Sequence, residues 1–197
     1  LTLKVASIIG RNFSFELLMD VHPLQLDAER LHRQMNQLAQ LDITPIAENE
    51  PNLCYFFRHA VTQQAAYARW TREQKVPIHQ AVAKWIECHC KAEEQQQYWL
   101  PLARHWRNAG DIPRCMQYLQ RAAAQAVNSG AFDTSARLFR ELIDLNTIHR
   151  CVGDPLEIAR WREKCSDAYY ALGRLDLALV EAEAVVGALE RPLPSKP

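Results

Sequence analysis

Gly173-Arg174-Leu175-Asp176-Leu177-Ala178-Leu179 sets a turn glycine, an apolar residue two positions on and an alanine five positions on, at the head of an amphipathic stretch. The same order opens at Gly110-Asp111-Ile112, with Cys115 in the small position, and at Gly130-Ala131-Phe132, where Ala136 arrives one residue late. Behind each turn, small and apolar residues recur at helical spacing. They are Ile112, Cys115, Met116, Leu119, Ala122, Ala123 and Ala126 after the first, and Ala136, Phe139, Leu142 and Ile143 after the second. After the third come Leu175, Ala178, Leu179, Ala182, Val186 and Leu189. Small residues where helices cross let backbones approach, and larger ones fill the gaps, so the chain from Tyr98 onward predicts stacked helical hairpins. Their turns fall about 20 and then about 43 residues apart, an irregular period.

Upstream the pattern changes. Leu3 to Ile9 reads as a helix stopped by Gly10, Ser14 as the N-cap of a helix over Phe15 to Val21, and Pro23 as its end. A longer helix over Leu26 to Leu41 carries Leu31, Met35, Leu38 and Leu41 as an apolar stripe. Ile43 to Ile46 and Leu53 to Phe57 are β-prone and flank the polar Glu48-Asn49-Glu50-Pro51-Asn52, which predicts a hairpin. Helices from Arg58 to Trp70 and from Arg72 to Cys90 follow, the second with Val76, Ile78, Val82, Ala83 and Ile86 on its apolar face. Three helices and a hairpin follow the order of a winged helix. The fold class is therefore mainly α: a degenerate winged helix with a small β-hairpin over residues 1–70, a helical hairpin array over 71–190 and a proline-rich tail over 191–197.

The totals agree. The 197 residues are 48% hydrophobic with only 6 glycines, which suits helices because glycine costs about 1 kcal/mol per interior helical position relative to alanine. Lys+Arg 23 balances Asp+Glu 23, so no global field draws the chain to nucleic acid or an anionic membrane. In the third helix Arg30, His32 and Arg33 would be the DNA contacts, but Asp27, Glu29, Glu48 and Glu50 repel phosphate, and no nucleic-acid partner is expected. No apolar run approaches the ~20 residues of a membrane span. Six cysteines without a CxxC pair suit a reduced, cytoplasmic setting rather than a disulfide framework. Cys88-His89-Cys90 sits in a helical pattern whose neighbours point to different faces, so no metal site is expected. No GxxxxGK[ST] loop, nucleophile or paired acid–base carboxylates stand out; His79 and His105 read as packing residues, and no catalytic residue is assigned. Arg104, Arg107, Arg114 and Arg121 are candidate contacts for an acidic partner, or an ordinary solvated face.

The turn motifs resemble the middle of a tetratricopeptide repeat. A longer resemblance runs from Val5-Ala6-Ser7-Ile8-Ile9-Gly10-Arg11-Asn12-Phe13 through Phe56-Phe57-Arg58-His59-Ala60-Val61-Thr62-Gln63-Gln64-Ala65-Ala66-Tyr67, His79 and Ala83 to Leu102-Ala103-Arg104-His105-Trp106. It is similar to the stretch following the P-loop ATPase module in signalling ATPases of the STAND class, particularly those joined to class III adenylyl or guanylyl cyclases of the soluble adenylyl cyclase type. The resemblance implies a non-catalytic regulatory segment of a larger chain, with ATP or ADP and magnesium held by an upstream ATPase. It further implies that the winged helix acts as a switch and that the repeats recruit a protein or peptide. Arg58-His59-Ala60-Val61 resembles the Met-His-Asp-Leu-type motif of these ATPases, with Ala60 where the aspartate stands, which makes His59 a candidate sensor of the ADP β-phosphate. The alternative for His59 is to tie the hairpin to the next helix. For the whole segment the alternatives are a helical scaffold without nucleotide response, or the corresponding part of a transcription regulator.

Overall fold

A computed structural model describes residues 1–49, 51–90, 95–151 and 154–188. The chain is mainly helical with one small antiparallel sheet, and it divides into two compact units, Leu1–Cys90 with Asn108–Gly110, and Lys91–Arg107 with Asp111–Pro197.

The first unit begins with α1 (Thr2–Ile9), strand β1 (Asn12–Ser14) and α2 (Phe15–Val21). Ser14 caps α2 as expected, its Oγ accepting from the Leu17 amide at 3.2 Å. Helix α3 (Ala28–Gln40) starts later than the sequence predicts because Asp27 is its N-cap, with Oδ1 accepting from the Arg30 amide at 2.6 Å. It also ends before Leu41, which is therefore exposed rather than on the buried stripe with Leu31 and Met35.

Strands β2 (Ile46–Glu48) and β3 (Cys54–Phe56) make the expected hairpin, shifted at its first strand. The amides of Ile43 and Thr44 both donate to the Leu38 carbonyl, at 3.0 and 3.3 Å, so these residues wrap the end of α3 and their amides are withheld from the ladder. The sequence does not anticipate the third strand. β1 pairs antiparallel with β3, Phe13 opposite Tyr55, which gives the order β1-β3-β2. Phe13 stacks on Tyr55 at 5.9 Å and meets Phe57 at 5.8 Å, over a core that includes Val5, Ile8, Leu18, Leu31 and Met35.

Helices α4 (Ala60–Ala68) and α5 (Arg72–His89) complete this unit, α4 against α1 and α5 against α1 and α2. Thr71 and Gln74 close a capping box that starts α5. Trp70 Nε1 donates to the Lys4 carbonyl at 2.9 Å, and Trp85 Nε1 donates to Asp20 Oδ2 at 2.8 Å. These contacts carry the compact unit to Cys90, beyond the boundary drawn at residue 70, because the buried side of α5 (Ile78, His79, Val82, Ala83, Ile86) completes the first core.

In the second unit, a 3-10 turn (Gln95–Tyr98) leads into α6 (Trp99–Ala109), then α7 (Ile112–Asn128), α8 (Phe132–His149), α9 (Pro155–Ala171) and α10 (Leu175–Ala188). From α7 on, each helix packs on the next. Gly110, Gly130 and Gly173 stand at the turns with φ of 84°, 73° and 71°, a left-handed backbone that penalises a Cβ. Short side chains link neighbouring helices through backbone carbonyls: Ser135 Oγ donates to Ala123 O at 3.3 Å, Cys165 Sγ to Ala136 O at 3.6 Å and Ser166 Oγ to Ala178 O at 2.8 Å. Such bonds need close backbones, which the alanines buried beside them allow (Ala122, Ala126, Ala159, Ala168).

The third helix face departs from expectation. Ala178 is buried, but Leu175 and Leu179 are exposed, because α10 turns Glu181 inward. The predicted position of Leu189 and the tail over 191–197 lie outside the described residues, as does Glu50 of the hairpin.

Candidate functional site

His59 is the N-cap of α4. Its carbonyl accepts from the amides of Thr62 and Gln63 at 3.1 and 3.4 Å, while its imidazole makes no capping bond and is exposed. The hairpin is tied to this helix start by its neighbour instead. Arg58 Nη2 and Nε donate to Asp42 Oδ1 at 2.5 and 3.0 Å, and the Arg58 amide donates to the Ile43 carbonyl at 3.1 Å. Asp42, at φ 56°, takes the sharp bend that leaves α3. The His59 ring therefore projects from a helix start fixed by other groups, next to first-turn amides that lack helical partners.

A second site lies wholly in the helical unit. A groove of about 700 Å³ runs along α8, whose Asp133, Arg137, Arg140, Glu141, Asp144 and Ile148 share one face at three- and four-residue steps. Arg107, Tyr169 and Arg174 reach it from α6, α9 and the turn before α10. Arg107 pairs with Glu141, and Arg174 with Asp133 at 3.5 Å. Burial pushes the Tyr169 hydroxyl above its usual pKa, so it stays a neutral donor and acceptor.

Arg140 looks two ways. It lines the groove and also pairs with Glu181, whose other oxygen accepts from Arg162 Nη1 at 2.8 Å. Glu181 is only 1% exposed, so α8 and α9 each supply a guanidinium to one buried carboxylate of α10. Sequence reasoning misses this triad, since a lone glutamate in an amphipathic helix reads as solvent-facing.

The four arginines singled out from sequence do not gather. Arg107 reaches the groove, Arg114 lies over the Trp106 ring at 4.4 Å and pairs with Asp111, and Arg121 lies over the Tyr118 ring at 5.5 Å; Arg104 is outside the groove lining. In α3, His32 stacks on Phe15 at 3.9 Å, which leaves Arg30 and Arg33 exposed beside Asp27 and Glu29.

Other titratable groups are held in packing. His79 is buried with Nε2 3.1 Å from the Tyr67 hydroxyl, and His105 is buried in α6. His89 stacks on Trp85 at 4.3 Å, with Nδ1 3.0 Å from the Trp85 carbonyl. Burial pushes the thiols of Cys115 and Cys165 up to about 11, so both are protonated at neutral pH. Among the described residues no three His, Cys, Asp or Glu side chains are grouped to hold a metal, and no helix is long and apolar enough to cross a membrane.

No family model matches this chain, and no curated protein matches it.

Proposed function

We propose that the chain is a non-catalytic regulatory and protein-interaction segment of a multidomain signalling ATPase of the STAND class, of the kind joined to a class III nucleotide cyclase. The reading is supported by the element order helix, strand, helix, helix, strand, strand with sheet order β1-β3-β2, which is compatible with a winged helix, followed by helices turned at left-handed glycines, which are compatible with tetratricopeptide-like repeats. In this scheme the first unit is the switch that meets an upstream ATPase, and the helical unit recruits a protein or peptide. Nucleotide state and partner occupancy then bias one two-state equilibrium.

The observation that carries the nucleotide part is His59. A structural tie would engage the imidazole, but Arg58 makes that tie and the ring stays exposed at a helix start. An imidazole there can donate to a phosphate oxygen and favour an ADP-bound state. In a protein that includes the ATPase, His59→Ala is expected to speed ADP release, measured by chasing a fluorescent ADP. Unchanged ADP retention removes the sensor role and favours a helical scaffold, for which the groove along α8 suffices.

A further inference from the structure

Helix α10 packs on α9 through Ala178 and the inward-turned Glu181, and a seam lies about 100° round the helix from them. Leu175 and Leu179 are 60% and 55% exposed, Ala182 and Val186 continue their line half-buried, and the exposed Leu177 and Val180 lie off it. The steps of four, three and four residues are those of the apolar seam by which one helix grips another. Such a seam costs free energy in water until it is covered, at about 25 cal/mol per Å².

The flank of the seam states the charge of what covers it. Asp176 and Glu183 stand one residue after Leu175 and Ala182, seven apart and both exposed, in the flanking position that selects a partner helix by charge. Helix α10 holds no Lys or Arg, and its remaining acid, Glu181, is spent on Arg140 and Arg162. Two copies of α10 laid antiparallel would set acid against acid, and laid parallel would leave both acids unanswered.

We infer that the Leu175–Leu179 seam of α10 is the docking site for an amphipathic partner helix with an apolar stripe flanked by Lys or Arg. The inference stands on α10 alone and is independent of the nucleotide reading and of the groove along α8.

The test uses two synthetic helical peptides with the same leucine seam, one flanked by lysines and one by glutamates, titrated against the full chain by fluorescence anisotropy. The lysine peptide is expected to bind at least tenfold tighter, to weaken with salt and to be lost in Leu175→Ser/Leu179→Ser. Asp176→Lys/Glu183→Lys is expected to invert the preference; both sites are exposed, so a correctly folded variant that prefers the glutamate peptide cannot reflect damage to the core. Equal binding of the two peptides, failure of either to bind, or a preference that survives the charge swap overturns the inference. So does a dimer, seen by sedimentation, that dissociates in Leu179→Ser, because a second copy would then cover the seam. Binding that appears only after removal of residues 189–197 likewise overturns it, since those residues would be the occupant.

Discussion

Arg162 Nη1 donates to Glu181 Oε2 at 2.8 Å across the α9–α10 pair, and Arg140 of α8 holds the other oxygen of the same carboxylate. Helix α10 is thereby oriented by charge, where a purely apolar seam would have turned Leu175 and Leu179 inward.

Removal of the carboxylate is expected to cost about 1.5–3 kcal/mol, the range for hydrogen bonds to charged groups. Arg162→Met should cost less than Glu181→Ala, because Glu181 then keeps Arg140, whereas the alanine leaves two guanidinia without their anion. Urea denaturation of the two variants decides it; a Glu181→Ala protein as stable as the parent would mean the triad does not hold α10.

Two glycine substitutions should act with opposite signs. Gly130 sits at φ 73° with nothing within 4 Å of where a Cβ would stand, so Gly130→Ala suffers backbone strain alone, about 1 kcal/mol. Gly187, inside α10, also has open space around it, and Gly187→Ala should stabilise by roughly 0.5–1 kcal/mol through helix propensity. Denaturation midpoints in guanidinium check both, and equal signs would contradict the backbone assignments.

His22 makes the first unit sensitive to acid. Its Nε2 lies 3.3 Å from Thr2 Oγ1, which also donates to Gln34, and its Nδ1 lies 2.8 Å from the Leu24 carbonyl. Burial, the largest cause, holds its pKa below the usual histidine value, opposed by the Leu24 carbonyl. Between that lowered value and about 6.5 the unfolded chain binds more protons, so stability rises with pH across this window and falls on acidification from neutrality. Unfolding free energies at pH 7.5 and pH 5 should differ less in His22→Asn than in the parent; an identical difference would place the titrating group elsewhere.

What the sequence disclosed follows the range of the forces involved. Helix α2 and its Ser14 cap, the three turn glycines and the buried residues of α7 rest on neighbours within a turn or two, and they stand where local chemistry puts them. Strand β1 is three residues whose only strand signal is a partner some forty positions away, so no local pattern marks it. The hairpin is displaced because two amides are claimed by the end of α3. For the candidate sites, the helix start at His59 is legible, while its exposure depends on Arg58 reaching Asp42. The groove along α8 and the burial of Glu181 need several helices at once, and a single helix wheel contains neither.

Ser135, Cys165 and Ser166 each rest on a carbonyl of the adjoining helix, and two of them are consecutive on α9, facing α8 and α10 respectively. A residue inserted ahead of Cys165 would rotate the pair by about 100° and advance it about 1.5 Å, unhooking α9 from both neighbours together. Changes of length are thus confined to the loops, and the helices of this unit can diverge in composition far more freely than in number of residues.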